Sequence, residues 1–252
     1  MTSVAFDAAA VRQLEETTFA SWPDLAHERL DGWLLRFARG HTKRANSVNM
    51  LESRPDGLEA RIAEAERRYR QAGLRPVFRL TPLAEPGLDA LLAARGYAPV
   101  EPSLVKVAPM PPDIAADSSV RLDADPDGGW LDGYAQAAGL DGDGRATLRA
   151  MLERIDGIAA YASIAEAGQA QGFAMAVTHA GRVGFFDVLT LPHARRRGIA
   201  RCIMASLIAW SREEGGARSM WIQVVEANAP ARSLYRALGF ATQYAYHYRV
   251  AP

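Results

Sequence analysis

Three apolar stretches, residues 159–165, 172–178 and 183–191, follow one another closely, and the last runs straight into three arginines and Gly198-Ile199-Ala200. A long amphipathic segment to Glu214 begins there and stops at Gly215-Gly216. The three stretches read as consecutive antiparallel strands, with Ala180-Gly181 as a tight hairpin turn between the second and third. An apolar strand delivered into a basic, glycine-opened helix is also an anion cradle. The first backbone N–H groups of a helix lack internal partners, and the helix dipole adds positive charge there. Glycine and alanine let a diphosphate approach the backbone closely, and flanking arginines supply charge.

Helices and strands alternate along the rest of the chain, which argues for an α/β class built on a mixed sheet. Helices are expected at residues 7–19, 58–71, 88–94, 198–214 and 229–237, with two more between Gly128 and Ile155. Strands are expected at 32–37, 44–50, 77–80, 103–107, 120–122, 219–225 and 243–250, besides the three above. Residues 110–119, within the proline-rich run APMPPDIAADSS, read as a linker between a unit of residues 1–109 and a unit of residues 120–252.

The two units share a pattern. The segment from Arg75 to Gly96 aligns without a gap on that from Arg218 to Gly239, each giving strand, short helix, glycine–aromatic corner and strand. Both units end on Val-Ala-Pro, which points to a tandem duplication.

Composition narrows the function. The chain has 252 residues, no formal net charge and one cysteine, Cys202. Neutrality disfavours general nucleic-acid binding. A single cysteine excludes an intramolecular disulfide framework, and the five histidines show no metal-ligand spacing, so no metal is expected. The first residues carry charges where a signal peptide needs an apolar core, and no apolar run is long enough to span a bilayer. A cytoplasmic location without membrane association is the expectation.

Two motifs then converge. Arg195-Arg196-Arg197-Gly198-Ile199-Ala200 resembles the Arg/Gln-x-x-Gly-x-Gly/Ala hallmark of the GNAT superfamily of acyl-CoA-dependent N-acyltransferases. Downstream, the run from Asn228 to Phe240 is similar to that family's N-x-x-A-x-x-L-Y-x-x-L-G-F signature at every defined position. The resemblance covers most of the chain from Ala159 onward and is weaker from Val120 to Ile155. It implies two GNAT-like units in tandem, a mostly antiparallel central sheet flanked by helices, and splayed central strands in the second unit. It further implies an N-acetyltransferase that passes an acetyl group from acetyl-CoA to a primary amine, on a small molecule or peptide, by direct attack in a ternary complex.

The resemblance assigns roles residue by residue. The backbone of Leu189, Thr190 and Leu191 would pair with the pantetheine arm. The amides of Arg196, Arg197, Gly198, Ile199 and Ala200 would hold the pyrophosphate, with Arg195 and Arg201 beside them. Asn228 would bond near the pantetheine, and Ala231 would leave room for it. Tyr235 would stand by the sulfur as general acid, since a phenol near its usual pKa of about 10 suits the leaving thiolate. A backbone N–H near Leu189 would serve the oxyanion. Many relatives place a glutamate base where this chain has Gln223. Asp187 and Glu226 are the nearby carboxylates, and loss of the amine proton to solvent through water is a third route.

The first unit lacks this equipment. Tyr235 aligns with Leu92, Asn228 with Glu85 and Ala231 with Leu88, and no Arg-x-x-Gly-x-Ala cradle precedes Leu58. Its expected contribution is to the core or to the acceptor cleft, through the polar run His41–Asn49 and through Trp33 or Arg36. The remaining cleft lining is expected from residues 155–165 and 244–248. Dimerisation through C-terminal strands, as in some relatives, stands beside a monomer. The rival readings are a non-catalytic acyl-CoA sensor or scaffold and a nucleic-acid binder using the arginine cluster.

Overall fold

The computed structural model describes residues 7–127 and 129–252. Residues 1–6, on which the reading of the leader partly rests, and Gly128, at the expected start of a helix, lie outside the described residues. Helix α1 (Ala8–Ser21) begins where the Asp7 carboxylate accepts hydrogen bonds from the Ala9 and Ala10 amides at 2.9 and 3.3 Å. A hairpin follows, β1 (Ala26–Leu30) and β2 (Trp33–Phe37), then β3 (Val48–Met50). Next come α2 (Leu58–Gln71), β4 (Val77–Leu80), α3 (Leu88–Ala94) and β5 (Ala98–Pro109). The second half opens with β6 (Arg121–Asp123), α4 (Trp130–Ala138) and α5 (Gly142–Leu152). It continues through β7 (Ile158–Glu166), β8 (Gln169–His179), β9 (Arg182–Thr190) and α6 (Ile199–Glu213). It closes with β10 (Ser219–Val225), α7 (Ala229–Ala237) and β11 (Ala241–Val250).

Three elements differ from the sequence reading. The expected strand at 44–50 survives only as β3, because Lys43–Ala45 form a 3-10 turn. The Asn46 side chain occupies the backbone there, accepting from the Ala38 and Gly40 amides and donating to the carbonyls of His41 and Thr42. Strand β1 has no apolar alternation and lies mostly exposed at the sheet edge, so its sequence gives no strand signal. Strand β5 begins five residues early. Pro99 and Pro102 are tolerated because its pairing with β10 reaches only to Ser103, so neither lies opposite that strand.

All eleven strands of the described residues join one sheet, in the order β1-β2-β3-β4-β11-β5-β10-β9-β8-β7-β6. Each half contributes an antiparallel pair, a crossover helix and a parallel strand: β2, β3, α2, β4 in the first and β8, β9, α6, β10 in the second. The last strands are exchanged. β11 lies between β4 and β5, while β5 lies between β11 and β10. Ala98 faces Val250 and Ala241 faces Val107, and the chain shift that carries Ala98 onto Ala241 also carries Val107 onto Val250. The two strands that align in sequence are therefore each other's neighbours about a local twofold.

Helix α6 packs on the second half of the sheet through Ile199, Ile203, Met204, Leu207 and Ile208, all buried. Each such side chain contributes about 1.5–3 kcal/mol on burial. Small residues beneath it, Ala160, Ala162, Ala174 and Ala176, bring helix and sheet close. Gly172 is required at the tightest point: a Cβ there would lie 2.8 Å from the Leu189 carbonyl oxygen and 2.9 Å from Ile199.

The segment 110–119 is irregular but lies along α6, with the Asp117 amide donating to Ser206 Oγ at 2.8 Å and Arg212 donating to the Pro112 carbonyl. The sheet runs unbroken through both halves. Strand β11 is paired along its length with β5, and with β4 over His247–Val250. If the exchanged strands hold the halves together, a protease site inserted between Ala115 and Ala116 and then cleaved should leave the fragments co-eluting on gel filtration. They should also unfold in one transition; separation of the pieces would contradict this role for β5 and β11.

Candidate active site

Strands β9 and β10 run parallel and bonded only from Arg182 to Phe185 against Ser219 to Ile222. Beyond that point they splay, and the β10-facing edge of β9 from Phe186 to Thr190 has no strand opposite it among the described residues. The splay coincides with a bulge. Pairing with β8 slips between Phe173–Leu189 and Met175–Phe186, and Asp187 takes a positive φ of 53°. That conformation is unusual for a residue with a side chain, and it lies in the wall of a cavity.

On one side of the splay is a cavity of 790 Å³ lined by Leu189, Thr190, Arg195, Arg196, Gly198, Ile199, Ala200 and Arg201, and closed by α7. Gly198 caps α6 with φ 83° and has open space where a Cβ would stand, so the helix N-terminus is uncovered. Arg197 and Leu191, expected here through their backbone, do not line this cavity. The Arg197 guanidinium turns away to Glu166, at 2.7 and 2.8 Å, and to Gln171 at 3.1 Å. The Leu191 amide donates to the Gln171 carbonyl at 3.0 Å, and its side chain packs on the core.

On the other side is a cavity of 440 Å³ whose walls come from both halves of the chain. Thr42, Lys43, Arg44, Glu101 and Ser103 face Phe186, Asp187, Gln223, Tyr246 and Tyr248. The two cavities share Val188, Asn228, Ala231 and Tyr235. Asn228 caps α7, its Oδ1 accepting from the Ala231 amide at 3.2 Å. Tyr235 packs edge-on to Phe240, and burial pushes its phenol up to about 12, so it keeps its proton at any working pH. Its hydroxyl has no hydrogen-bond partner among the described residues.

The two candidate carboxylates part company. Asp187 Oδ2 is sealed from solvent and unpartnered. Burial holds the carboxyl above the usual range, against the opposing pull of the Arg44 cation and the Tyr134 hydroxyl. Glu226 is exposed beyond the end of β10, with its amide bonded to Pro102, and lines neither cavity. Gln223 accepts a hydrogen bond from the Tyr246 hydroxyl at 2.9 Å.

The polar run of the first half reaches the site through Thr42, Lys43 and Arg44, whereas Asn46 and Asn49 are buried in backbone bonding. Trp33 and Arg36 do not reach it. Arg36 is locked to Asp24 at 2.6 Å and to the Arg44 carbonyl at 2.7 Å. Trp33 donates to Glu85 at 2.8 Å, and Glu85 also pairs with Arg61 at 2.9 Å. Residues 155–165 line neither cavity, and Tyr244 points to Glu15. Tyr134, Glu101 and Ser103 were not legible as site residues; only the fold brings α4 and β5 to β9.

A family profile described as "Probable histone acetyltransferase Rv0428c C-terminal" matches residues 8–249. The chain belongs to this family, and it is an acyltransferase of the GNAT type. An "Uncharacterized N-acetyltransferase YobR" of Bacillus subtilis (strain 168) is 26% identical over 245 residues, covering 95% of this chain and 98% of that protein. A GCN5-related N-acetyltransferase from Kribbella flavida superimposes with a TM-score of 0.71 at 15% identity, over 99% of this chain and 97% of the other. A tandem GNAT protein from the clavulanic acid biosynthesis pathway superimposes with a TM-score of 0.64 at 14% identity, over 100% and 89%. These two likenesses concern the fold. No helix among the described residues of the acyltransferase is long and apolar enough to cross a membrane.

The buried carboxyl of Asp187 has a consequence for stability. Its pKa is raised by folding, so the folded protein keeps a proton that the unfolded chain has released. Stability therefore falls as pH rises from the ordinary carboxylate range through the raised value. The substitution Asp187→Asn should stabilise the protein above that interval, by about 1–3 kcal/mol, while leaving stability at low pH nearly unchanged. Thermal unfolding at pH 4 and pH 8 checks this, and equal effects at both would contradict it.

Proposed function

We propose that the acyltransferase moves an acetyl group from acetyl-CoA to a primary amine in a ternary complex. The observation that carries the reading is the meeting of two cavities at Val188, Asn228, Ala231 and Tyr235, one over a bare helix N-terminus and one over Asp187. The larger fits the donor: the amides at the start of α6 and the side chains of Arg195, Arg196 and Arg201 would hold the pyrophosphate. The unpaired edge at Leu189 and Thr190 would bond the pantetheine arm as a strand does, with Asn228 and Ala231 flanking it. Acetyl-CoA supplies an activated thioester carbonyl.

The chain's own groups then divide the proton traffic. Asp187, whose carboxyl is held above the usual range, takes a proton from the acceptor ammonium, releasing a lone pair for attack. A backbone N–H of the bulged strand beside Leu189 donates to the carbonyl oxygen as charge develops there. As the carbon–sulfur bond breaks, Tyr235 donates its hydroxyl hydrogen to the departing sulfur and regains one from the nitrogen, which becomes the amide. A sensor without turnover was suggested by Gln223, but Asp187 on the facing strand restores a carboxylate to the same cavity, which favours catalysis.

The first half reads as a worn copy of the second. The repeated strand–helix–strand order and the local twofold between β5 and β11 support duplication. At the aligned site, Glu85 is buried against Arg61 and Trp33, and Leu92 is buried where the second half has Tyr235. On this reading residues 1–109 and 120–252 are two units, joined by 110–119, that have exchanged their final strands.

Two measurements test the reading. Calorimetric titration with acetyl-CoA should give micromolar binding that Gly198→Glu abolishes; absence of binding to the unaltered protein would sink the donor assignment. Replacing Tyr235 with Phe should lower kcat by about a hundredfold or more with little change in acetyl-CoA affinity, and an unchanged kcat would remove Tyr235 as acid.

A further inference from the structure

We infer that the acceptor amine carries a carboxylate near the nitrogen, and that Arg44 holds it. This rests on the acetyl-transfer reading and narrows the class of acceptor. The smaller cavity has four charged side chains: Lys43, Arg44, Glu101 and Asp187. Lys43 and Glu101 neutralise each other in an ion pair. Asp187, as the base, is matched by the acceptor's own ammonium, whose proton it takes. That leaves the guanidinium of Arg44 as the unbalanced charge.

Arg44 is held as a binding group is held. Its guanidinium carbon lies 5.1 Å from the centroid of the Trp22 ring and 5.8 Å from that of Phe186. It donates no hydrogen bond and pairs with no carboxylate among the described residues. Its backbone is fixed from behind, the carbonyl accepting from the fully buried Arg36 at 2.7 Å. The preceding Thr42 sits at φ 58°, a strained conformation for a β-branched residue, and its hydroxyl accepts from the Trp22 indole at 3.1 Å. A planar five-donor fork, desolvated on its aromatic side and preset in place, suits a carboxylate's two oxygens. A polycationic acceptor would meet repulsion at the same point. With Arg44 on the carboxylate, the amine is left to reach Asp187 and the space shared with Tyr235.

The test compares glycine, β-alanine, 4-aminobutyrate and glycylglycine with their carboxamides and with spermidine, following release of CoA from acetyl-CoA. The best carboxylate should exceed its carboxamide in kcat/KM by about ten- to a hundredfold. Arg44→Gln should collapse that ratio to near unity, and Arg44→Lys should restore part of it. Carboxamides or spermidine used as well as the carboxylates would overturn the inference while leaving acetyl transfer intact. A second readout needs no turnover: calorimetric binding of the N-acetylated forms of the same compounds with CoA present. Weaker binding to Arg44→Gln than to the unaltered, equally folded protein supports the inference, and equal binding overturns it. Acetyl-CoA binding without CoA release from any amine would count against the acetyl-transfer reading instead.

Discussion

The antiparallel pairing of β5 with β11 governs the rest of the structure. Each is the final strand of its own half, yet each completes the other half's sheet, and the two lie side by side at the centre of eleven strands. A strand with partners on both edges is satisfied along both sides, so neither half could keep its centre without the other's strand. Three consequences follow for the site. β10 finds its second neighbour in β5, which leaves it free to part from β9. Glu101 and Ser103 of the first half come to face Asp187 of the second. Tyr246 and Tyr248, carried on β11, stand beside residues of the 42–44 turn.

The site is therefore asymmetric in origin. The larger cavity is built locally, from the end of β9, the start of α6 and the cap of α7, all within one stretch of chain. The smaller cavity is composite, and its charges come from both halves. In the first half the equivalent region is filled: Glu85 is buried in an ion pair with Arg61, a burial sustained only because the charge is matched and bonded. Where the second half has open cavity walls, the first has a knot of core polar groups. The first half instead contributes walls to the smaller cavity, through Thr42, Lys43, Arg44, Glu101 and Ser103.

Legibility in the sequence followed the range of the interactions. Helix α7 was readable from its start because Asn228 caps it and Pro230 sits in its first turn, both local effects. The hairpin at Ala180-Gly181 was readable for the same reason, both residues taking positive φ. Strand β1 was not, since AHERL pairs at an exposed edge where no apolar alternation is demanded. Arg197 looked equal to its neighbours in a run of three arginines, but Glu166 and Gln171 on β7 and β8 claim it, and those lie about thirty residues away in the chain.

By itself the sequence determined the class of fold, the basic, glycine-opened start of α6 at Arg195–Ala200, and the placing of Asn228 and Tyr235 at the cap and within one short helix. Those features rest on spacing along a helix or strand, which the order of residues controls directly. Only the tertiary structure set the two carboxylates apart, by carrying Glu226 out past the end of β10 and sealing Asp187 at a bulge. It alone exchanged the last strands and set Arg44 of the first half in the cavity of the second. Strand pairing across 143 residues and burial of a single oxygen depend on what packs nearby. No local pattern records that.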